Sequence, residues 1–164
     1  MFRKIAIIRF MSEIECIVDL LQTGYNGAPW HGPSLVGNLD GLTAAQAVQK
    51  PIPNGHCIWE LVQHITAWVN VTINTIDGQQ YVTLPPEQDW SPMSGSDDAG
   101  WQAALDILDS SMGALIAAVG ELQDDSLWDN LPGMEFNMYW LLMGVVQHSA
   151  YHAGQIGLLK KGLS

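Results

Sequence analysis

The sequence predicts an all-α protein, a four-helix bundle with long crossover connections. Four segments repeat apolar residues at the 3.6-residue period of a helix, and none shows the alternation that is typical of a strand. The connections at about 24–54 and 78–95 are long and rich in Gly or Pro, which favours crossings of a bundle over tight turns. The 164 residues, 48% of them hydrophobic, can fill one core, so we expect a single domain over 11–164.

The first two long helices are predicted at about 12–23 and 55–77. Apolar residues follow helical spacing in both segments, and in the second they form one broad stripe. Gly24 is a typical stop residue for the first helix, and Asn54 is a candidate N-cap for the second.

A short helix is expected at about 43–48, and a third long helix at about 96–121. The short helix begins at Thr43 with the Thr-x-x-Gln spacing of a capping box. The third long helix begins with Asp97 and Asp98, whose negative charge suits the positive end of a helix dipole.

The fourth long helix is predicted at about 135–161. It ends with Lys160 and Lys161, and positive charge is favourable at a helix C-terminus.

At the other end of the chain, a second Met at position 11 precedes the first helix. Residues 1–10 are therefore expected to be an N-terminal extension or a loose arm.

Acidic residues dominate the charge of this chain. Asp and Glu number 17 against 6 Lys and Arg, which gives a formal net charge of −11, and no Lys or Arg lies between Lys50 and Lys160. Because nucleic-acid binding needs basic side chains on the phosphates, we expect no nucleic-acid partner.

No apolar run approaches the roughly 20 residues that span a bilayer, and the N-terminal segment lacks the pattern of a secretory signal, so we expect a cytoplasmic protein without membrane contact. Cys16 and Cys57 are expected to be small core residues, not parts of a disulfide framework.

Three of the five histidines fall within apolar helical stripes. His64 lies in the stripe of the second long helix, and His148 and His152 share the inward face of the fourth. Residues four apart on a helix have Cβ atoms about 5–6 Å apart, so the two imidazoles of the fourth helix can converge on one ion. A single histidine of this kind is usually a hydrogen-bonded core residue. Burial of three without partners would cost about 1–3 kcal/mol each, whereas one divalent ion satisfies all three, so we predict a metal site.

Neutral imidazoles suit zinc, nickel or iron(II). Three protein ligands leave a coordination position for water or substrate, which is typical of a catalytic site. Glu60 lies one turn before His64 and is a candidate second-shell partner or general base, although a solvated acid in the first turn of a helix is an equal alternative. His56 is expected to be a local or surface residue and not a fourth ligand. The segment around Trp30 and His31 could cover the metal, but packing on the bundle end is the simpler expectation.

Three motifs carry a resemblance to a known family. They are WELVQHI at 59–65, VQHSAYHAGQI at 146–156 and WHGPSL at 30–35. By these motifs the chain resembles the DinB/YfiT-like family of metalloenzymes (DinB-like domains) over about residues 11–163. The resemblance implies a four-helix bundle with one long crossover, with His64, His148 and His152 as the metal triad. Family members include transferases and isomerases that use low-molecular-weight thiols, but such thiols carry carboxylates, and the expected pocket has no Arg or Lys to bind them.

Three hypotheses for function follow. The first is a metal-dependent enzyme, a hydrolase or thiol-dependent transferase acting on a small molecule, in which an open position on the ion activates water or a thiol and Glu60 handles the proton. The second is a non-catalytic metal-binding or sensing bundle. The third is a metal-free dimeric bundle with ordinary core histidines. Broad apolar helix faces and sparse charge also make a homodimer plausible under each hypothesis.

Overall fold

The computed structural model describes residues 11–93 and 95–163, and within them every regular element is helical. The helices are α1 (Glu13–Asn26), α2 (Leu35–Leu39), α3 (Ala44–Ala47), α4 (Ile58–Ile76), α5 (Pro86–Asp89), α6 (Asp98–Gly120) and α7 (Met138–Lys161), with a 3₁₀ helix at Asp124–Leu127. No strand forms in this part of the chain, where one isolated bridge joins Asn130 and Asn137. The predicted all-α class is confirmed. Residues 1–10, predicted to be a loose arm, lie outside the described residues.

The four long helices surround one hydrophobic core. Helix α4 packs against α6 and α7, and α1 packs against the same two helices from the other side. The apolar stripes that predicted the helices face inward, and residues such as Ile17, Ile65, Leu115 and Ile156 are fully buried. Because α4 and α7 are direct neighbours, histidines on their inward faces can meet.

A tryptophan within a helix is by default expected to pack in the core, and of the four in the predicted helices two are buried, Trp68 is partly buried and Trp140 is exposed. The rings of Trp59 and Trp101 pack together with centroids 5.3 Å apart, and Trp101 Nε1 donates to the Leu42 carbonyl at 3.0 Å. Trp140 is 59% exposed because its position lies on the outer side of α7. Helical spacing alone does not distinguish the inner and outer sides of a helix that is apolar all round.

The helix boundaries differ from the predictions by three residues at three ends: the C-terminus of α1, the N-terminus of α4, and the N-terminus of α7, which begins at Met138 and not at 135. Helix α1 continues past Gly24 to Asn26, because one Gly within a helix costs only about 1 kcal/mol and does not oblige it to end. Helix α4 begins after Cys57, not after Asn54. Cys57 forms a capping box with Glu60, whereas Asn54 has a φ of 63° and lies in the turn that precedes the helix.

Both long connections contain more helix than predicted. The first holds α2 in addition to α3, whose Thr43 and Gln46 form the predicted capping box. The second holds α5, which packs against α4 and ends at Asp89. This second connection therefore brings polar and aromatic side chains to the face of α4 that carries His64.

Among the described residues, α6 is the one helix long and apolar enough to cross a bilayer by length and composition. The core helix of a soluble protein meets the same test. Helix α6 carries Asp98, Asp106 and Asp109, and its Leu108 and Leu115 are buried in the shared core. The chain thus has an all-helical fold of the soluble type.

Candidate metal centre

Three imidazoles from α4 and α7 meet in the interior. Nε2 of His148 lies 3.0 Å from Nε2 of His64 and 3.0 Å from Nε2 of His152. His64 and His152 are buried, with 6% and 5% exposure, and His148 is partly buried. The three residues that the sequence singled out as ligands are therefore brought together, one from the middle of α4 and two from successive turns of α7.

The outward nitrogens of two of these rings have acceptors. Nδ1 of His64 donates to the backbone carbonyl of Asp89 at 2.8 Å, and an oxygen of the Asp89 carboxylate lies 3.1 Å from the same nitrogen. Nδ1 of His152 donates to Oε1 of Gln155 at 2.6 Å. In a neutral imidazole a proton on Nδ1 leaves a lone pair on Nε2. Both rings thus present a lone pair to the centre of the cluster.

His148 lies between these two lone pairs. If its Nε2 carries a proton, that proton can be donated to one neighbour only. If Nδ1 carries it, three lone pairs face one another, and Nδ1 itself is buried without a hydrogen-bond partner among the described residues. In both tautomers at least one 3.0 Å contact joins two lone pairs, which is unfavourable unless a cation lies between them.

The spacing of these nitrogens fits a metal ion. With metal–nitrogen bonds of about 2.0–2.1 Å, two nitrogens 3.0 Å apart subtend about 90–100° at the ion. If two of these nitrogens moved apart by about 0.3 Å, the angle between them at the ion would approach that of a tetrahedral site. In the part of the chain that the structure describes, no fourth His, Cys, Asp or Glu completes the cluster. The donor set is thus three imidazole nitrogens, which leaves coordination positions for other ligands.

The environment keeps the α7 imidazoles neutral. Burial lowers the pKa of His148 to about 4, and the neighbouring His152 and His64 add to the effect because a second or third positive charge in the cluster is unfavourable. Burial also lowers the pKa of His152, against the opposing effect of its hydrogen bond with Gln155. Protons therefore compete weakly with a metal for these two nitrogens near neutral pH.

The indole of Trp90 is held between two imidazoles. Its ring stacks on His64 with centroids 3.9 Å apart and on His56 with centroids 3.4 Å apart, and both pairs are nearly parallel. Beside it, Nε1 of Trp68 donates to the Asp89 carboxylate at 2.7 Å. These contacts fix both the plane of the His64 ring and the carboxylate that faces it.

Glu60 occupies the first turn of α4. Its carboxylate accepts from Lys50 Nζ at 2.8 Å and from the backbone N–H of Cys57 at 2.9 Å, and it lies 3.4 Å from Nδ1 of His56. Burial raises the pKa of Glu60, but the bonds from Lys50 and Cys57 outweigh it, and the net pKa is lowered. The groups that contact this carboxylate are therefore those of a helix cap, together with His56, whose ring stacks on Trp90.

The remaining candidates lie away from the triad. Trp30 is fully exposed at the edge of a groove that residues of α1 and α7 line, so its ring is not packed on the bundle end as expected. Both cysteines are free. Cys57 is buried as expected, and its sulfur caps α4, while Cys16 is partly exposed.

Two cavities adjoin the cluster, each bordered by one of its histidines. One of about 380 Å³ is bordered by His152 and Trp90, and another of about 180 Å³ is bordered by His148 and Trp68. Cavities of a few hundred cubic ångströms are the size of small-molecule sites. A ligand can therefore reach the cluster from outside.

Asp89 and Trp90 were missed in the sequence because they lie in a stretch predicted as a connection. A local signal was present: Pro85 and Pro86 precede acidic residues, and Pro in the first turn followed by acids is typical of a helix start. No local pattern, however, shows that this helix ends against His64.

Comparison with known proteins gives a match to a protein family. A family model described as the DinB superfamily matches residues 33–156, which include all three clustered histidines. No curated protein and no solved structure shows detectable similarity to the chain.

Proposed function

This chain belongs to the DinB superfamily, and on that premise we propose that it is a metal-dependent enzyme. His64, His148 and His152 would hold one divalent ion, with zinc, nickel and iron(II) all suited to imidazole ligands. The reaction would be hydrolysis of a small molecule or transfer of a thiol to it. The family, the cluster geometry and the adjoining cavities support this proposal together.

The observation that carries the proposal is the convergence of the three Nε2 atoms. The Asp89 carbonyl and the Gln155 amide accept the Nδ1 protons of their histidines, so these two rings must present lone pairs inward. Metal-binding histidines commonly donate their second nitrogen to such acceptors, which orient the ring and raise its basicity. Without a metal, the same Nδ1 bonds leave inward lone pairs in contact with His148 at 3.0 Å, and at least one of these contacts is unfavourable.

An enzyme needs a free position on the ion, and the donor set supports one. Three protein ligands are typical of catalytic sites, whereas structural zinc sites usually have four. A bound divalent ion would act as a Lewis acid that lowers the pKa of a coordinated water or thiol toward neutrality. The cavity beside His152 supplies space for a substrate next to that position.

Other residues of the chain would orient the ligand histidines and handle the proton. Asp89 and Trp90 hold the ring of His64 in place, and Gln155 holds that of His152. Glu60 stays a predicted proton handler, although its present contacts with Lys50 and Cys57 are those of a cap. A role in proton transfer would require its carboxylate to leave these partners.

Cobalt substitution tests the open position directly. We expect the Co²⁺-loaded protein to show d–d absorption bands that shift, and a sulfur-to-cobalt charge-transfer band that appears, when 2-mercaptoethanol is added. Protein with His148→Ala serves as the control and should lose the cobalt spectrum. A cobalt spectrum that neither thiol nor azide alters would contradict the enzyme proposal and favour the non-catalytic metal-binding or sensing bundle.

The homodimer and the absence of a nucleic-acid partner also stay predictions. Large apolar side chains outside the cavity beside His152, such as Leu20, Val82 and Trp128, are exposed, which supports self-association. The charge of −11 argues against contact with nucleic acid. Light scattering at micromolar concentration tests the first prediction, and a monomeric mass would contradict it.

A further inference from the structure

The larger cavity beside the cluster contains few polar groups. Its volume is about 380 Å³, and its walls come from the turn before α4, from Trp90 and from the C-terminal half of α7. Ile52, Leu61, Leu158 and Leu159 contribute aliphatic surface, while His152 connects the cavity to the cluster. A molecule bound there would bury apolar surface and place one end beside the metal site.

The wall of this cavity offers few partners for ions. Among the described residues no Asp, Glu, Lys or Arg lines it, and two of the three Lys residues nearest to it in sequence are already bonded: Lys50 to Glu60, and Lys160 to the backbone carbonyl of Asp40. Away from the ion, an anion would lose its hydration without gaining a Lys or Arg partner, and His56 in the wall already has the Glu60 carboxylate 3.4 Å from its Nδ1. The chain as a whole carries a charge of −11. A cation would likewise find no carboxylate in the wall.

Gln155 supplies a specific polar contact. Its Oε1 accepts from Nδ1 of His152, and a metal on Nε2 of that ring would keep the proton on Nδ1 and so fix this orientation of the amide. The amino group of Gln155, in a side chain that lines the cavity, has no partner among the described residues. It is therefore a hydrogen-bond donor for a carbonyl or similar oxygen of a bound molecule.

We propose that this cavity binds an uncharged, largely apolar molecule that carries a carbonyl-type acceptor, and that Gln155 determines this specificity. The inference rests on the proposed function, because it places that acceptor beside His152 and thus next to the ion. It also narrows the reaction, since the carboxylates of an anionic thiol cofactor would find no Lys or Arg among the described residues of this wall. Neutral esters, amides and ketones are the substrate class that fits.

Binding of four probes of similar size tests the proposal. Zinc-loaded protein is titrated by ligand-observed NMR with acetophenone, ethylbenzene, benzenesulfonate and phenyltrimethylammonium. Sulfonate is chosen because it coordinates metals poorly. We expect acetophenone to bind at least about tenfold more tightly than either ion, and several-fold more tightly than ethylbenzene, which lacks an acceptor. Equal or tighter binding of either ion would overturn the proposal.

Two variants test the assigned residues. Gln155→Glu keeps an acceptor for His152 but removes the amide donor, so the advantage of acetophenone over ethylbenzene should disappear. Leu158→Lys places a cation at an exposed wall position and should increase benzenesulfonate binding at least about fivefold. Ile107→Lys, on the exposed face of α6, is the matched control and should leave it unchanged. An unchanged acetophenone preference in Gln155→Glu, or an equal gain in both Lys variants, would contradict the assignment.

The zinc content of each sample separates this proposal from the proposed function. If the protein retains zinc but shows no preference among the probes, the cavity assignment fails and the metal proposal stands. If the protein does not retain zinc, the metal proposal fails, and the same titration of the metal-free chain still decides whether the cavity selects neutral ligands.

Discussion

Removing the charge of Asp89 should weaken metal binding while leaving the fold intact. In Asp89→Asn the backbone carbonyl that accepts from His64 at 2.8 Å is unchanged, and the amide oxygen can still accept from Trp68. The substitution therefore removes one negative charge near the ion and changes little else.

The size of the effect follows from the geometry. The carboxylate lies 3.1 Å from Nδ1 of His64, which places it about 6–7 Å from an ion on Nε2. A charge of −1 and a charge of +2 at this distance attract by about 1–5 kcal/mol for effective dielectric constants from 80 to 20. Asp89 is 25% exposed, so the lower half of this range applies. We predict a loss of about 1.4–2.7 kcal/mol, or 10–100-fold in affinity, the range typical of such outer partners.

Competition with a chromophoric zinc chelator at fixed pH and ionic strength measures this loss. Glu87→Gln is the matched control, because it removes one exposed acid from the same short helix without a contact to His64. We expect less than about a twofold change for the control. An affinity for Asp89→Asn within twofold of the unmodified protein would refute the argument that this carboxylate supports the ion.

Three further outcomes are expected. Glu60→Gln loses the ion pair with Lys50, so we expect chemical denaturation to show a free energy of unfolding lower by about 1 kcal/mol. The zinc affinity should not change. A loss of zinc affinity of tenfold or more would instead favour a role for Glu60 at the site. In chelator-treated protein the free energy of unfolding should fall as the pH decreases from 6.5 to about 4, because the unfolded chain takes up a proton at His148 that the folded chain binds poorly. A fall of equal size in His148→Leu would exclude this cause. Trp101→Phe leaves the Leu42 carbonyl without its buried donor and should cost about 1–3 kcal/mol in thermal or chemical unfolding, and a cost near zero would mean that water replaces the indole.

The long helices could be predicted because their signals are local. Apolar residues at helical spacing define each buried face, and the capping box at Thr43 satisfies backbone groups within one turn. The cap of α4 was placed wrongly at Asn54 because sulfur is a weak acceptor and Cys57 is an unusual N-cap. The meeting of the histidines followed from the same periodicity, since residues on inward faces of neighbouring helices must lie close together.

The surroundings of the cluster could not be predicted in the same way. Asp89 and Trp90 reach His64 across 25 residues or more, through a connection whose path depends on packing against α4. The exposed position of Trp140 likewise depends on which side of α7 faces its neighbours. Such contacts are set by the whole fold, and a single sequence holds no periodic signal for them.

The most direct test of the metal site is a crystal structure of the zinc-loaded protein with anomalous data at the zinc edge. We predict one anomalous peak within about 2.0–2.2 Å of Nε2 of His64, His148 and His152, with non-protein density in a remaining coordination position. Absence of a peak between these three rings, or a peak held by other residues, would contradict the proposal that they bind a single ion.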